Sequence, residues 1–314
     1  MKLASFGPPG DLRAGVVVGD QIHPFEPGIT VLSLVQQGLP AALAAGAQVV
    51  RSSPPLALSA VRLAPPLQPP SLRDFITFER HVEGALRTVI PDATVPPEWF
   101  AAPAFYFTTP HALVGAYDEV AVPPGCELLD FELEVAVVVG RDGRDLGVEE
   151  AADHLFGYSV FNDWSARDLQ SREMKVGLGP CKGKDFASTL GPWIVTADEF
   201  TDRHTADGRL DLAMSVAVNG VELGRDRLAQ MAWTFPELLA YAARGAWVRA
   251  GDVLGSGTCG SGCLAESWGR LGVREPPPLV AGDLVTMTVE GIGTIANRVV
   301  AGPPAQPIGS ARRV

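Results

Sequence analysis

Acidic side chains alternate along Asp130-Phe131-Glu132-Leu133-Glu134, directly ahead of Val135-Ala136-Val137-Val138-Val139-Gly140. The apolar run has the β-branched content of a buried strand. Side chains of a strand point alternately to its two faces, which sets Asp130, Glu132 and Glu134 on one side. Three carboxylates on one buried face repel one another and are costly to desolvate. A bound cation relieves both costs, and an all-oxygen donor set favours a hard ion such as Mg²⁺, Mn²⁺ or Ca²⁺. An edge strand with a hydrated acidic face gives the same alternation without any ion.

A second cluster lies in Phe161-Asn162-Asp163-Trp164-Ser165-Ala166-Arg167-Asp168-Leu169-Gln170. If a helix starts there, Asp163, Arg167 and Gln170 share a face at i, i+4 and i+7. A carboxylate, a guanidinium and an amide aimed together suit a metal ligand beside donors for a developing oxyanion; an N-capping Asp paired with Arg167 has the same spacing. Downstream, in Gly179-Pro180-Cys181-Lys182-Gly183-Lys184-Asp185-Phe186, glycines bracket a lysine and allow close backbone approach to a ligand, as many plain surface turns also do. Glu266, after Gly262-Cys263-Leu264-Ala265, is a candidate partner for a histidine.

The elements that must position these groups follow from patterning. Phe75, Phe78, Val82 and Leu86 recur at helical spacing and predict a helix over 71–87, with Asp74 near its start as a cap and Asp74 and His81 on nearly the same side. Gly15–Asp20 with Ile22 and Pro24 reads as two short strands around a Gly-Asp turn. The stretch 31–50 reads as a helix pair joined near Gly38, and Pro65–Pro70 as a linker. Strands are expected around 131–139, 192–196, 212–218, 284–290 and 294–300. They show no regular βαβ alternation, which excludes a doubly wound parallel sheet. The glycine-rich stretch 251–262 lacks the Gly-Lys-Ser/Thr ending of a P-loop.

A chain of 314 residues, 46% hydrophobic and 19% charged, can bury a large core. The net charge of −11 and the lack of any basic run argue against a nucleic-acid partner. Four cysteines form no disulfide framework at this length and read as reduced thiols of a cytoplasmic protein. Pro8, Pro9 and Gly10 interrupt any secretory signal, and Gln36, Gln37, Gly38 and Pro40 interrupt the one stretch that could be weighed as a membrane span.

Taken together, these segments resemble the fumarylacetoacetate hydrolase family. The motifs are Asp74-Phe75 with His81, the 130–134 segment, and Asn162-Asp163-Trp164-Ser165-Ala166-Arg167-Asp168 with Gln170. Leu178-Gly179-Pro180 with Gly183-Lys184, Gly255-Ser256-Gly257-Thr258 with Glu266, and Glu290-Gly291-Ile292-Gly293-Thr294 with Asn297 follow in the family's order. The resemblance implies an α+β, β-rich fold: a mixed β-roll or barrel catalytic domain over 71–304, preceded by a small N-terminal α+β domain over 1–65. It implies a homodimer, a small dicarbonyl or oxo-acid substrate and a divalent cation, Mg²⁺ before Mn²⁺ or Ca²⁺.

By the same resemblance Glu132, Glu134, Asp163 and Asp74 hold the cation, and Asp130 falls outside the ligand set. His81 and Glu266 match the water-activating pair. Arg167, Gln170 and Lys184 match residues that bind substrate oxygens and stabilise an oxyanion, and Tyr106 and Thr258 match substrate contacts. Ile76 stands where the mammalian-type hydrolase has a substrate-contacting tyrosine, which points away from fumarylacetoacetate itself. The implied activity is hydrolysis of a carbon–carbon bond in a 1,3-dicarbonyl or acylpyruvate-type compound, through an enolate held on the cation. Decarboxylation, isomerisation and hydration of oxo-acids use the same platform. A non-catalytic binding protein would be expected to have lost some acid–base and oxyanion residues, whereas each assigned position keeps a competent side chain.

Overall fold

The valine-rich run after Glu134 forms a central strand because both its faces find apolar partners. In the computed structural model, which describes residues 1–88 and 92–312, every side chain of Leu133–Val139 is buried. Odd-numbered Val135, Val137 and Val139 join one core with Met214, Val216, Met287 and Ile295. Even-numbered Ala136 and Val138 join another with Leu3, Val16, Val31 and Leu34. A period of two splits one strand between two cores.

The strands that frame the site are β1 (Lys2–Phe6), β2 (Arg13–Val18), β3 (Gln21–Pro24), β4 (Leu72–Phe75), β5 (Phe105–Thr108), β6 (Leu133–Val139), β7 (Leu155–Asp163), β8 (Ser188–Thr196), β9 (Ala213–Val218), β10 (Val221–Arg227), β11 (Val253–Gly255), β12 (Leu284–Val289) and β13 (Gly293–Val300). The helices are α1 (Val31–Gln36), α2 (Leu39–Ser52), α3 (Glu79–Arg87), α4 (Arg167–Met174) and α5 (Leu264–Leu271). The main sheet contains, in order, β3-β2-β1-β8-β7-β6-β11-β4-β5, with three two-residue strands (Leu56–Ala57, Leu63–Ala64 and Leu113–Val114) paired to it, and a second sheet contains β10-β9-β12-β13. The chain is thus a mixed α+β protein dominated by sheet. The strands predicted near 131–139, 192–196, 212–218, 284–290 and 294–300 correspond to β6, β8, β9, β12 and β13.

The N-terminal hairpin forms as β2 and β3, and the helix pair as α1 and α2 around Gly38. β1 pairs with β2 on one side and β8 on the other, so the strands of residues 1–65 extend the main sheet. The proline-rich connector does not behave as a linker: Leu67 is buried in the second core and Ser5 Oγ donates to Pro66 O.

Three local expectations are corrected. The predicted 71–87 helix is a strand followed by a helix: β4 ends at Phe75 and α3 begins at Glu79. Leu72–Phe75 pairs with β11 and β5, partners far away in sequence, and this tertiary pairing overrides the helical spacing. Asp74 is therefore no helix cap. Asp163 does not open a helix either; it closes β7, and the helix begins at Arg167. Finally, Asp130 and Glu134 do not share one strand. Leu129–Asp130 pairs separately with Ser165–Ala166, while Glu132 N donates to Asn162 Oδ1 at 2.9 Å.

Candidate active site

Four carboxylates converge where β7, β6, β11 and β4 lie side by side. Glu132 and Glu134 continue the even-numbered face of β6, Asp163 ends β7, and Asp74 lies on β4. The strand between β6 and β4 ends in Gly255, which registers with both Ala136 and Asp74. A methyl there would collide with Asp74 Oδ1 and come within 3.0 Å of Glu134 Oε2, so the missing side chain makes room for the cluster. Oxygen atoms of Asp74, Glu132 and Glu134 lie within 4.8 Å of one another.

Polar neighbours meet part of this charge. Lys184 Nζ donates to Glu132 Oε2, and to Asp163 Oδ2 at 2.6 Å. Tyr106, opposite Asp74 on β5, also donates to Asp163 Oδ2. Gly257 N donates to Glu134 Oε2 at 2.9 Å, and Thr258 Oγ1 to Glu134 Oε1 at 3.4 Å. Burial foremost, then Asp163, pushes the Asp74 carboxyl well above the usual range. Burial foremost, then Asp74, does the same to Glu134. Asp163 is raised by burial against the pull of Lys184. Burial also opposes ionisation of Glu132, yet Arg167 and Lys184 outweigh it and hold its pKa far below normal. Asp74 Oδ1 and Asp163 Oδ1 are buried and accept no hydrogen bond among the described residues. Crowded carboxylates with unused lone pairs and only oxygen donors fit a hard divalent cation.

Beside the carboxylates sits a histidine–carboxylate dyad. His81, on the first turn of α3, is buried, and its Nδ1 lies 3.1 Å from Glu266 Oε1. A proton on Nδ1 donated to Glu266 leaves Nε2 as the free acceptor. Nε2 faces inward, 3.7 Å from Glu132 Oε1. Glu266 is fully buried on α5 and is held in turn by Ser261 N at 2.8 Å and Arg270 Nη1 at 3.0 Å. Glycines bring the two helices together: a Cβ on Gly84 would lie 3.0 Å from Glu266 Cγ, and one on Gly269 would strike Gly84 O.

Arg167 ties the parts together. Nε donates to Asp130 Oδ2 at 2.9 Å, Nη2 to Glu132 Oε1 at 2.7 Å, and Nη1 to Gln170 Oε1 at 3.2 Å. With its Oε1 accepting from Arg167, Gln170 keeps its amide NH₂ as a donor that has no partner among the described residues.

All eleven residues expected from the sequence therefore lie in one neighbourhood, though from other elements than periodicity suggested. Asp130, outside the carboxylate cluster, is a hub that sequence reasoning missed. Its oxygens accept from Leu264 N at 2.8 Å and Ala265 N at 3.0 Å, capping α5 from outside as well as holding Arg167. Cys263 was also missed: its Sγ lies 3.7 Å from His81 Nδ1. Its thiol is pushed up by burial first and Asp130 second, which keeps it a neutral neighbour. Its place beside a carboxylate-bound histidine has no local sequence signal.

A family model described as fumarylacetoacetate (FAA) hydrolase C-terminal matches residues 72–300, most of the chain. The chain belongs to the fumarylacetoacetate hydrolase family. Among family members, fumarylacetoacetase of Arabidopsis thaliana is 29% identical over 308 residues, covering 79% of this chain and 73% of its own length. Oxaloacetate tautomerase YisK of Bacillus subtilis (strain 168) is 29% identical over 244 residues, covering 77% and 74% respectively. The fumarylacetoacetate hydrolase EaFAH from psychrophilic Exiguobacterium antarcticum superposes with a TM-score of 0.75 at 27% identity, over 96% of this chain and 100% of that one. Maleylpyruvate hydrolase from Sphingobium sp. SYK-6, solved in complex with manganese (II) ion and pyruvate, shares the fold at a TM-score of 0.73 and 22% identity, over 96% of this chain and 100% of that one. The family thus holds hydrolases and a tautomerase on one scaffold.

Proposed function

We propose that this chain is a divalent-metal-dependent hydrolase that cleaves a carbon–carbon bond in an acylpyruvate-type 1,3-dicarbonyl compound. The observation that carries this reading is the His81–Glu266 dyad, whose free Nε2 faces the carboxylate cluster. Glu132, Glu134, Asp163 and Asp74 would hold the cation. When bound, it supplies Lewis acidity and a fixed seat for two substrate oxygens.

The chain's own groups account for the proton and charge movements. His81 Nε2 takes a proton from water while Glu266 holds Nδ1–H and stabilises the imidazolium that results. The new C–O bond forms at the carbonyl remote from the carboxylate end of the substrate. Its π electrons move onto oxygen, beside the Lys184 ammonium and the free NH₂ of Gln170, with Arg167 holding Gln170 in place. Such pre-set donors are typically worth about 3 kcal/mol of barrier each. When the oxyanion collapses, the C–C bond breaks and its electron pair leaves with the carbon next to the second carbonyl. The His81 imidazolium returns the proton to that carbon. Water and one dicarbonyl give one carboxylic acid and one ketone or oxo-acid, in balance. Tyr106 and Thr258, both hydrogen-bonded to the cluster, border the same space as substrate contacts.

The tautomerase reading is the competing one, favoured by the similarity to YisK over 77% of this chain. It needs a proton moved between carbon and oxygen but no water attack. His81→Ala separates role from scaffold: cleavage is expected to fall by about 10²-fold or more with Mn²⁺ affinity retained. Near-normal cleavage would remove His81 from the mechanism.

A further inference from the structure

One side chain outside this machinery is placed to control it. Glu173 lies in the last turn of α4, the helix whose first turn carries Arg167 and Gln170. Its carboxylate accepts three successive backbone N–H groups: Cys181 N at 2.6 Å, Lys182 N at 2.8 Å and Gly183 N at 3.1 Å. Consecutive N–H groups converging on one point form a concave seat for an anion. Here the chain fills it with its own carboxylate. The next residue, Lys184, enters the site and is only 3% exposed.

The loop is fixed against α4 with little slack. A Cβ on Gly183 would lie 2.6 Å from Gln170 Cβ and 2.7 Å from Gln170 N, so loop backbone and catalytic helix touch directly. Ala166 N donates to Gly183 O at 2.8 Å on the same seam. Among the described residues the loop 181–183 makes one further side-chain hydrogen bond, from Lys182 to Asp185. The Lys182–Asp185 pair is solvent-exposed, its lysine side chain 74% accessible, and such pairs contribute little.

We propose that Glu173 is a positioning residue for the reaction: it clamps loop 181–183 to α4 and so sets Lys184 relative to Gln170. This rests on the reading of Lys184 and Gln170 as donors to the oxyanion. A displacement of about 1 Å in such a donor can cost about 10²-fold in rate.

The test compares the full-length chain with Glu173→Ala and Glu173→Gln, using hydrogen exchange across 179–186, Mn²⁺-induced thermal shift, and kcat and KM for an acylpyruvate. In E173A the amides of 181–183 are expected to exchange faster and kcat to fall about ten- to a hundredfold, with KM and the Mn²⁺ shift near wild type. E173Q, which keeps one acceptor oxygen, should fall between the two. Unchanged exchange at 181–183 in E173A overturns the clamp whatever the reaction proves to be. Faster exchange with wild-type kcat overturns the positioning role. So does a loss of kcat, Mn²⁺ shift and melting temperature in parallel, because that is a general structural defect. If the wild-type chain interconverts tautomers without cleaving, the functional reading fails instead. The same kcat comparison on that reaction then decides the role of Glu173.

Discussion

At the residue scale the site is governed by how crowded carboxylates share charge. Asp74, Glu134 and Asp163 are each raised, with burial as the largest cause. A carboxyl raised in the fold contributes stability that is full below its ordinary, unfolded value, 3.8 for Asp and 4.5 for Glu, and is lost as pH rises through the folded value. Glu132 has the opposite sign: its contribution is lost only as pH falls through its depressed range. Above the ordinary carboxyl range the three raised groups dominate, and the cation-free protein should melt at lower temperature as pH rises through their folded values. Ion binding must release the retained protons, so saturating Mn²⁺ should raise the melting temperature more at pH 8 than at pH 5. Thermal melts at both pH values, with and without Mn²⁺, check this; an equal or larger shift at pH 5 would count against the carboxylate cluster as the ion site.

At the scale of elements, each strand or helix brings one or two groups and the fit depends on small residues between them. Gly255 closes β11 between Asp74 and Glu134. Gly255→Ala inserts a methyl into that contact, and overpacking of this kind costs about 1–3 kcal/mol. Because the methyl displaces the Asp74 and Glu134 carboxylates, cation affinity should weaken by roughly 10- to 100-fold, read by calorimetric titration with Mn²⁺; an unchanged affinity would place the ion elsewhere. At this scale the sequence carries the least signal. Glu132 and Glu134 were legible because a strand's period of two is local. Asp74 was misplaced on a helix because Phe75 and Phe78 bury toward the same core across a strand–helix junction, imitating helical spacing. Asp163 imitated a cap although it ends a nine-residue strand that pairs on both sides. The His81–Glu266 contact spans 185 positions in sequence. Only the family resemblance could join them, since packing of Gly84 against α5 leaves no periodic trace. The clamp by Glu173 had no signal either, because an acid on a helix surface looks the same whether it faces water or a loop.

At the scale of the whole molecule, the N-terminal strands and the catalytic sheet share one core. Leu3, Val16, Val31, Leu34 and Val35 pack with Ala136, Val138, Phe156, Phe161, Ile194 and Val253. Removing residues 1–65 would strip that face and expose β8 as a paired strand without its neighbour β1. We expect the truncated chain to aggregate or lose its cooperative melt, checked by solubility and circular dichroism. A soluble, cooperatively melting product that keeps its Mn²⁺ shift would establish two separable units. Among the described residues no helix is long and apolar enough to cross a membrane. What the assembled site does is read most directly from its products. Turnover of acylpyruvates, 1,3-diketones and oxaloacetate would be followed with added Mn²⁺ or Mg²⁺ and again with chelator, with every product identified. A hydrolase should give two cleavage fragments from an acylpyruvate, lost with chelator and restored by the ion. Interconversion of oxaloacetate tautomers with no fragment formed from any substrate, or cleavage indifferent to chelator, would contradict a metal-dependent hydrolase.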